Sequence, residues 1–553
     1  MIRYAILPSF ICLIFIAASS LQAQHDRMMM SDEGSHHTAD HDHGVVDFLT
    51  TCGPMAQMKF EHGLGMLHHM MYEQAHDIFR EATNADPNCA MAFWGIAMTQ
   101  LNPLWAPPGE QQFEKGWQAI RKAASVGDPS HRERDHIRAL KAYYETTRES
   151  GYREGLKTWE QSLEELFRTY PDDVDAGAFY GLSLLATAPP DDDTYSNQRK
   201  AGALLEELFD RAPEHPGLFH YIIHAYDNPV LAEKAVDIAH AYDKLAPDVP
   251  HALHMPSHIF VRIGSWPETI DWNQRSADAA LRQPVGEYTS MHHAHALDYM
   301  MYAYLQKGLD DKAAEVLEEL LSVDNYQPHF GAAYGVAAGN ARYYLERRKW
   351  EKAAQLEPRI HSDFPWDDFP QYEAISYWAR GMGAARTSDL ESARNAVESL
   401  ENLHQQTLDN GEDYWALLVD VQRKTVEAWI AHEEGNTELA LKLMREAADL
   451  EDSVDKHPVT PSDVLPAREL LGDMLVLHEK PEKAIKAYET ALEISPNRFN
   501  SLYGAGIAAE MAGNNEQAES WFSKLSEITV PEESNRPELD QVTSYLMNLR
   551  GSN

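Results

Sequence analysis

The feature that most constrains this chain is a 34-residue spacing between matching small, large and proline positions. From Leu465 the series runs Leu471-Gly472, Leu475, Ala484, Tyr488, Ala491 and Pro496. Shifted by 34 it returns as Ala505-Gly506, Ala509, Ala518, Phe522 and Leu525. Small residues let two antiparallel helices approach closely, large ones fill the gap between neighbouring units, and proline stops the second helix. A unit of this kind buries its apolar face only by stacking on the next. A length of 553 residues exceeds what one compact core supports, and stacking removes that limit. The expected fold is all-α, a superhelical solenoid of about ten to eleven helix-turn-helix units.

Earlier units repeat the register less cleanly. Ala75, Phe79, Ala82 and Pro87 close one, and Ala97 opens the next. Trp159, Leu163, Leu166 and Pro171 close another; Ala201, Leu205, Leu208 and Pro213 lead into a unit that begins near His220. Units centred on Ala313, Ala353, Ala393 and Ala440 are spaced about 40 apart or more, so their helices or turns are longer. Asn436 and Gly513-Asn514-Asn515 fall between helices as turn signals.

These residues resemble the tetratricopeptide repeat family. The N-terminal half has a narrower resemblance over about residues 45 to 345. Thr51-Cys52, Asp86-Pro87-Asn88-Cys89, Asn102-Pro103-Leu104-Trp105-Ala106-Pro107-Pro108 and His254-Met255-Pro256-Ser257-His258-Ile259 look like a group of exported bacterial tetratricopeptide proteins. That resemblance implies fold and export, and no activity. The chain departs from the group's pattern at His68-His69, and nothing is carried over there.

The expected organisation is a signal peptide over 1–23, a disordered His/Met/Asp-rich segment over 24–50, histidine-bearing repeats over 51–345 and further repeats over 346–553. Arg3, the apolar run Phe10 to Ala18 and Leu21-Gln22-Ala23 give the export reading. The run is too short to span a bilayer, so no membrane insertion is expected after cleavage. Location is then periplasmic or extracellular. The histidines and methionines of 24–44 are a compositional candidate for weak metal capture. With 47 Lys+Arg against 87 Asp+Glu the net charge is −40. That field repels phosphate backbones and anionic lipid and argues against nucleic-acid or membrane-surface partners. Cys52 and Cys89 remain after cleavage, as one bridge or as two free thiols.

One constellation hints at chemistry. His220 and His224, and His254 and His258, share a four-residue spacing and lie 34 apart. On first helices of successive repeats, one unit presents His220, His224 and Asp227, and the next His251, His254, His258 and Arg262. A third presents His295 and Asp298, with His292 and His293 just before. First helices pack roughly 8–10 Å apart, so the imidazoles can converge. Such donors suit a divalent transition metal: zinc, iron, manganese, nickel or copper. Pro256, inside a helical pattern, should kink or restart the helix. The competing account is packing, with repeat duplication copying a structural histidine.

Two functions follow. The first is an exported scaffold whose concave groove binds a peptide or partner protein. The second is a metal-binding protein, extending to a metal-dependent hydrolase, with the histidines in that groove. No nucleophile elbow, phosphate loop or His-Glu-x-x-His motif is present, so no catalytic residue is assigned. The Trp105-Ala106-Pro107-Pro108 stretch reads as a rigid loop interrupting the second repeat, a surface connection in preference to a fold over one end of the groove.

Overall fold

A computed structural model describes residues 43–190 and 192–551. The expected signal peptide and residues 24–42 of the His/Met-rich segment lie outside the described residues. Its last residues, 43–50, were expected to be disordered but pack on the fold, with Phe48 buried and Val45 N donating to Glu214 O at 2.8 Å. Helical hairpins follow one another from Pro54–His68 and Tyr72–Ala85 through Phe499–Met511 and Asn515–Ile528, and helix Pro537–Gly551 closes the end. Apart from two isolated bridges near residues 285–289 and 326, regular structure among the described residues is helical. The chain is the expected α-solenoid. No described helix is long and apolar enough to cross a membrane.

Local chemistry sets the boundaries. Ser130 and Glu133 form a reciprocal capping box at the start of His131–Ser150. Asn436 and Asn514 accept from Leu439 N and Gln517 N and start the next helices. Gly513 takes a left-handed turn with φ of 75°. Cys52 and Cys89 are bridged, tying the approach to the first helix to the start of Ala90–Met98.

Two large apolar cores run along the stack and meet at helix Trp266–Arg282, which gives Trp272 and Ala279 to one and Ala277 to the other. The solenoid also touches itself far along the sequence. The Trp266 indole donates to Asn497 O at 3.1 Å, and Asn497 Nδ2 donates to Gly264 O at 3.1 Å. The segment between helices Thr437–Glu451 and Ala467–Leu477 turns inward: Arg342 donates to Ser462 O and Asp463 O, and Tyr299 Oη lies 3.1 and 2.9 Å from Pro458 O and Thr460 O. The concave wall carrying the histidines is thus covered by the chain itself.

Candidate metal centre

The site begins with a broken helix. Pro256 has no N–H and its ring cannot pass the carbonyl four residues back, so the element divides into Pro250–His254 and Pro256–Ile263. His258 N then bonds Met255 O at 3.1 Å, and Ser257 Oγ donates to His254 O at 2.6 Å. The break is satisfied locally, and His254 and His258 stay on one face. Helix Pro216–Tyr226 carries His220 and His224 in the same relation, and Met291–Gln306 brings His295 alongside.

Two triads result. The ligand atoms of His254, His258 and His295 lie within 4.8 Å of one another, and so do those of His220, His224 and His251. His258 Nε2 is 3.0 Å from His254 Nε2, and His224 Nε2 is 3.1 Å from His220 Nε2. The rings form one belt: centroids are 4.2 Å apart for His254 and His295, 5.0 Å for His220 and His251, and 5.6 Å for His224 and His258.

Hydrogen bonding fixes the tautomers in the second triad. Asn273 Nδ2 donates to Thr269 O, so its Oδ1 faces His254 Nδ1, 2.7 Å away. Nδ1 therefore donates, and His254 Nε2 carries a lone pair. His258 Nδ1 donates to Asp227 Oδ2 at 2.8 Å. Burial alone would raise the Asp227 carboxyl, but Lys456 and Arg262 outweigh it and hold it well below the usual carboxylate range. His258 Nε2 is bare as well. Burial, then the neighbouring His295 and His258, push His254 well below the ordinary imidazole value; burial also lowers His258, against Asp227. At neutral pH two lone pairs face each other at 3.0 Å in a site shielded from water. His295, 5% exposed and pushed down mainly by burial, leaves Nδ1 without a partner among the described residues.

The positions divide as follows. The structure brings together His220, His224, His251, His254, His258 and His295. Asp227 stands behind His258 rather than facing the belt; it accepts from Arg262 Nε at 2.8 Å and pairs with Lys456 at 3.2 Å. Asp298 does not join: its fully buried carboxylate is taken by Arg342, with contacts of 3.1 and 3.4 Å. An aspartate facing an arginine at that depth serves charge balance. The Trp105 stretch is not a surface connection. The indole covers the belt, edge-on to His251 at 5.6 Å and His292 at 6.5 Å, and Trp105 O contacts His457 Nε2 at 3.1 Å. Segments far apart in the chain meet over this site, Trp105 and His457 being 352 residues apart.

Residues 465–498 match the family profile described as Tetratricopeptide repeat. The chain carries a tetratricopeptide repeat. Among solved structures, a human IFIT1 dimer with m7Gppp-AAAA is similar at 12% identity, covering 78% of this chain and 88% of that one, with a TM-score of 0.34. A human IFIT1 dimer with PPP-AAAA is similar at 12% identity over 83% and 94%, TM-score 0.34. Yeast Tom70 is similar at 12% identity over 90% and 96%, TM-score 0.30. At these scores the likenesses carry no functional argument. No curated protein matches the chain in sequence.

Sequence reasoning missed a third cluster. His68 Nε2 donates to Asp175 Oδ1 at 2.9 Å, His215 Nε2 approaches the same oxygen at 3.2 Å, and Tyr221 Oη meets His68 Nδ1 at 3.1 Å. Burial would raise Asp175, but hydrogen bonds from His215 and His68 win and depress it. These nitrogens share one carboxylate oxygen and the Tyr221 hydroxyl in a hydrogen-bond network, while His215 Nδ1 stays buried without a partner among the described residues. The cluster also positions the metal candidates, since His68 O accepts from His220 Nδ1 at 2.7 Å. The adjacent His68-His69 was the available signal, but three of its partners lie more than 100 residues away.

Proposed function

We propose that this chain is an exported tetratricopeptide-repeat scaffold that holds a transition-metal ion at His254, His258 and His295. The observation that carries the reading is the pair of bare Nε2 atoms at 3.0 Å, each ring having committed its Nδ1 proton to Asn273 or Asp227. Two lone pairs so placed repel unless a cation lies between them. Metal ligands at about 2.0–2.1 Å sit roughly 2.9 Å apart at right angles and roughly 3.4 Å apart in a tetrahedron, and the separation falls in that interval. An Asn or Asp behind each imidazole is the support that metal-ligating histidines use. Neutral imidazoles suit zinc, copper, nickel or iron better than magnesium or calcium.

Export is supported by the N-terminal stretch and by the Cys52–Cys89 bridge, which persists in oxidising compartments. At the histidines, residues 455–460 occupy the groove. A peptide or partner protein would engage the scaffold elsewhere.

Full-length protein, stripped and then reloaded with zinc(II) or copper(II), tests the reading. It retains ion after desalting, and excess ion at 100 times Kd raises stability by about 2.7 kcal/mol. His258→Ala lowers the retained ion by one per chain and reduces the stabilisation. Wild-type protein that retains no ion and gains no thermal stability sinks the proposal.

A further inference from the structure

We infer that His220, His224 and His251 hold a second ion, so that the belt is a dinuclear, all-imidazole centre which takes a small anionic ligand between its ions. This rests on the reading that His254, His258 and His295 bind one ion. The first argument is the donor set. His220 commits Nδ1 to His68 O, which leaves Nε2 bare and 3.1 Å from His224 Nε2. His251, 4% exposed, has both ring nitrogens buried without a partner among the described residues. A neutral imidazole always carries one lone pair on nitrogen, and leaving it unpaired at that depth is costly. An ion at this triad takes it.

The second argument is the space between the triads. A cavity of about 20 Å³ is walled by His224 and His251 of one triad and His258 and His295 of the other, with Trp105 and His457 as lid. It has room for about one water-sized group. Three protein nitrogens per ion leave a coordination position open, as in sites that bind an exogenous ligand. Charge fixes the ligand class. Two divalent ions bring four positive charges among six neutral rings, and no carboxylate is among the residues lining the cavity. An uncompensated buried charge is costly. The fitting ligand is a small oxygen anion such as hydroxide, bridging the pair.

Full-length protein is metal-stripped, loaded with copper(II) and desalted through a weakly chelating buffer that removes ions from the histidine-rich N-terminal tract. Metal per chain is counted, and the electron paramagnetic resonance signal is integrated. The expected result is that His224→Ala, His251→Ala and His295→Ala each lower the count by one ion per chain. In wild type the bridged pair gives at least tenfold fewer spins than copper atoms, whereas His251→Ala gives one spin per bound copper. His224→Ala serves as a second variant because its ring is the most accessible of the six, so a folding failure at His251 does not decide the outcome. Wild-type protein whose count is unchanged by His224→Ala and His251→Ala but falls with His295→Ala overturns the second ion and leaves the first. A count unchanged by all three overturns both.

Discussion

Asn273 decides which nitrogen of His254 faces the belt. Its amide is oriented by Thr269, so only the oxygen is available to accept the Nδ1 proton. Replacing Asn273 with Leu removes the acceptor and frees the ring to change tautomer. Metal affinity should fall by about 10–100-fold with the ion count intact, because support residues of this kind contribute that much. Competition against a chromophoric chelator measures it; unchanged affinity would mean the tautomer is set elsewhere. A second residue-scale test concerns structure alone. Arg498, fully buried, is held by Glu469 at 3.0 Å and Glu346 at 2.8 Å. Burial would raise Glu469, yet Arg498 and Arg348 hold it below its usual value. A depressed carboxyl contributes stability above its unfolded pKa and loses it as pH falls through the folded one. Glu469→Gln should therefore cost about 2–3 kcal/mol at pH 7, less than a lone pair because Glu346 remains. The gap from wild type in urea midpoint should narrow as pH falls below about 4. A gap that widens would reverse the assigned sign. Of the six ligand candidates, His220, His224, His254 and His258 were legible because they repeat in register with an independent 34-residue pattern, and His251 and His295 because of where they fall on the helices of the same and the following unit. Asn273 and Lys456 were not, since nothing in their own neighbourhoods marks them; their roles come from what the superhelix lays beside them.

Helices and loops place those residues. Gly335 on helix Phe330–Leu345 lies against the backbone of the helix that carries His295; a Cβ there would sit 2.7 Å from Ala294 O and 2.8 Å from Ala294 C. Backbone cannot step aside as a side chain can. Gly335→Ala should cost about 1–3 kcal/mol by overpacking and weaken metal retention by displacing His295. Thermal melts with and without zinc check both effects. The lid is a separate element. Trp105→Ala opens the face above His251 and His292, and chelator should then strip the ion on the order of tenfold faster, since the apolar shell controls solvent access. Stopped-flow chelation reads that rate, and a rate equal to wild type would place the route of exchange elsewhere. At this scale the sequence was informative about helices and poor on loops. Pro256 marked its break because a proline disturbs its own helix, whereas the Trp105 loop read as rigid but its course over the groove could not be chosen, because residues 251, 292 and 457 set it.

The whole molecule departs from a simple stack of repeats. Contacts between 264–266 and 497, and between 227 or 262 and 455–456, tie the C-terminal hairpins back over the histidine belt. Stability in such a fold is not a sum over neighbours alone. Metal should consequently protect residues 455–460 as well as the helices that supply ligands, which hydrogen exchange can follow. The superhelix could be read from period and composition; its closure could not, because the 34-residue repeat reports only nearest neighbours. The central claim is that neutral imidazoles converge to hold metal. The most direct test is anomalous diffraction from crystals of zinc-loaded full-length protein, with data on both sides of the zinc edge. The account predicts an anomalous peak about 2.0–2.1 Å from the Nε2 atoms of His254 and His258. The absence of any peak in the belt, with His254 and His258 Nε2 still about 3 Å apart, would contradict it.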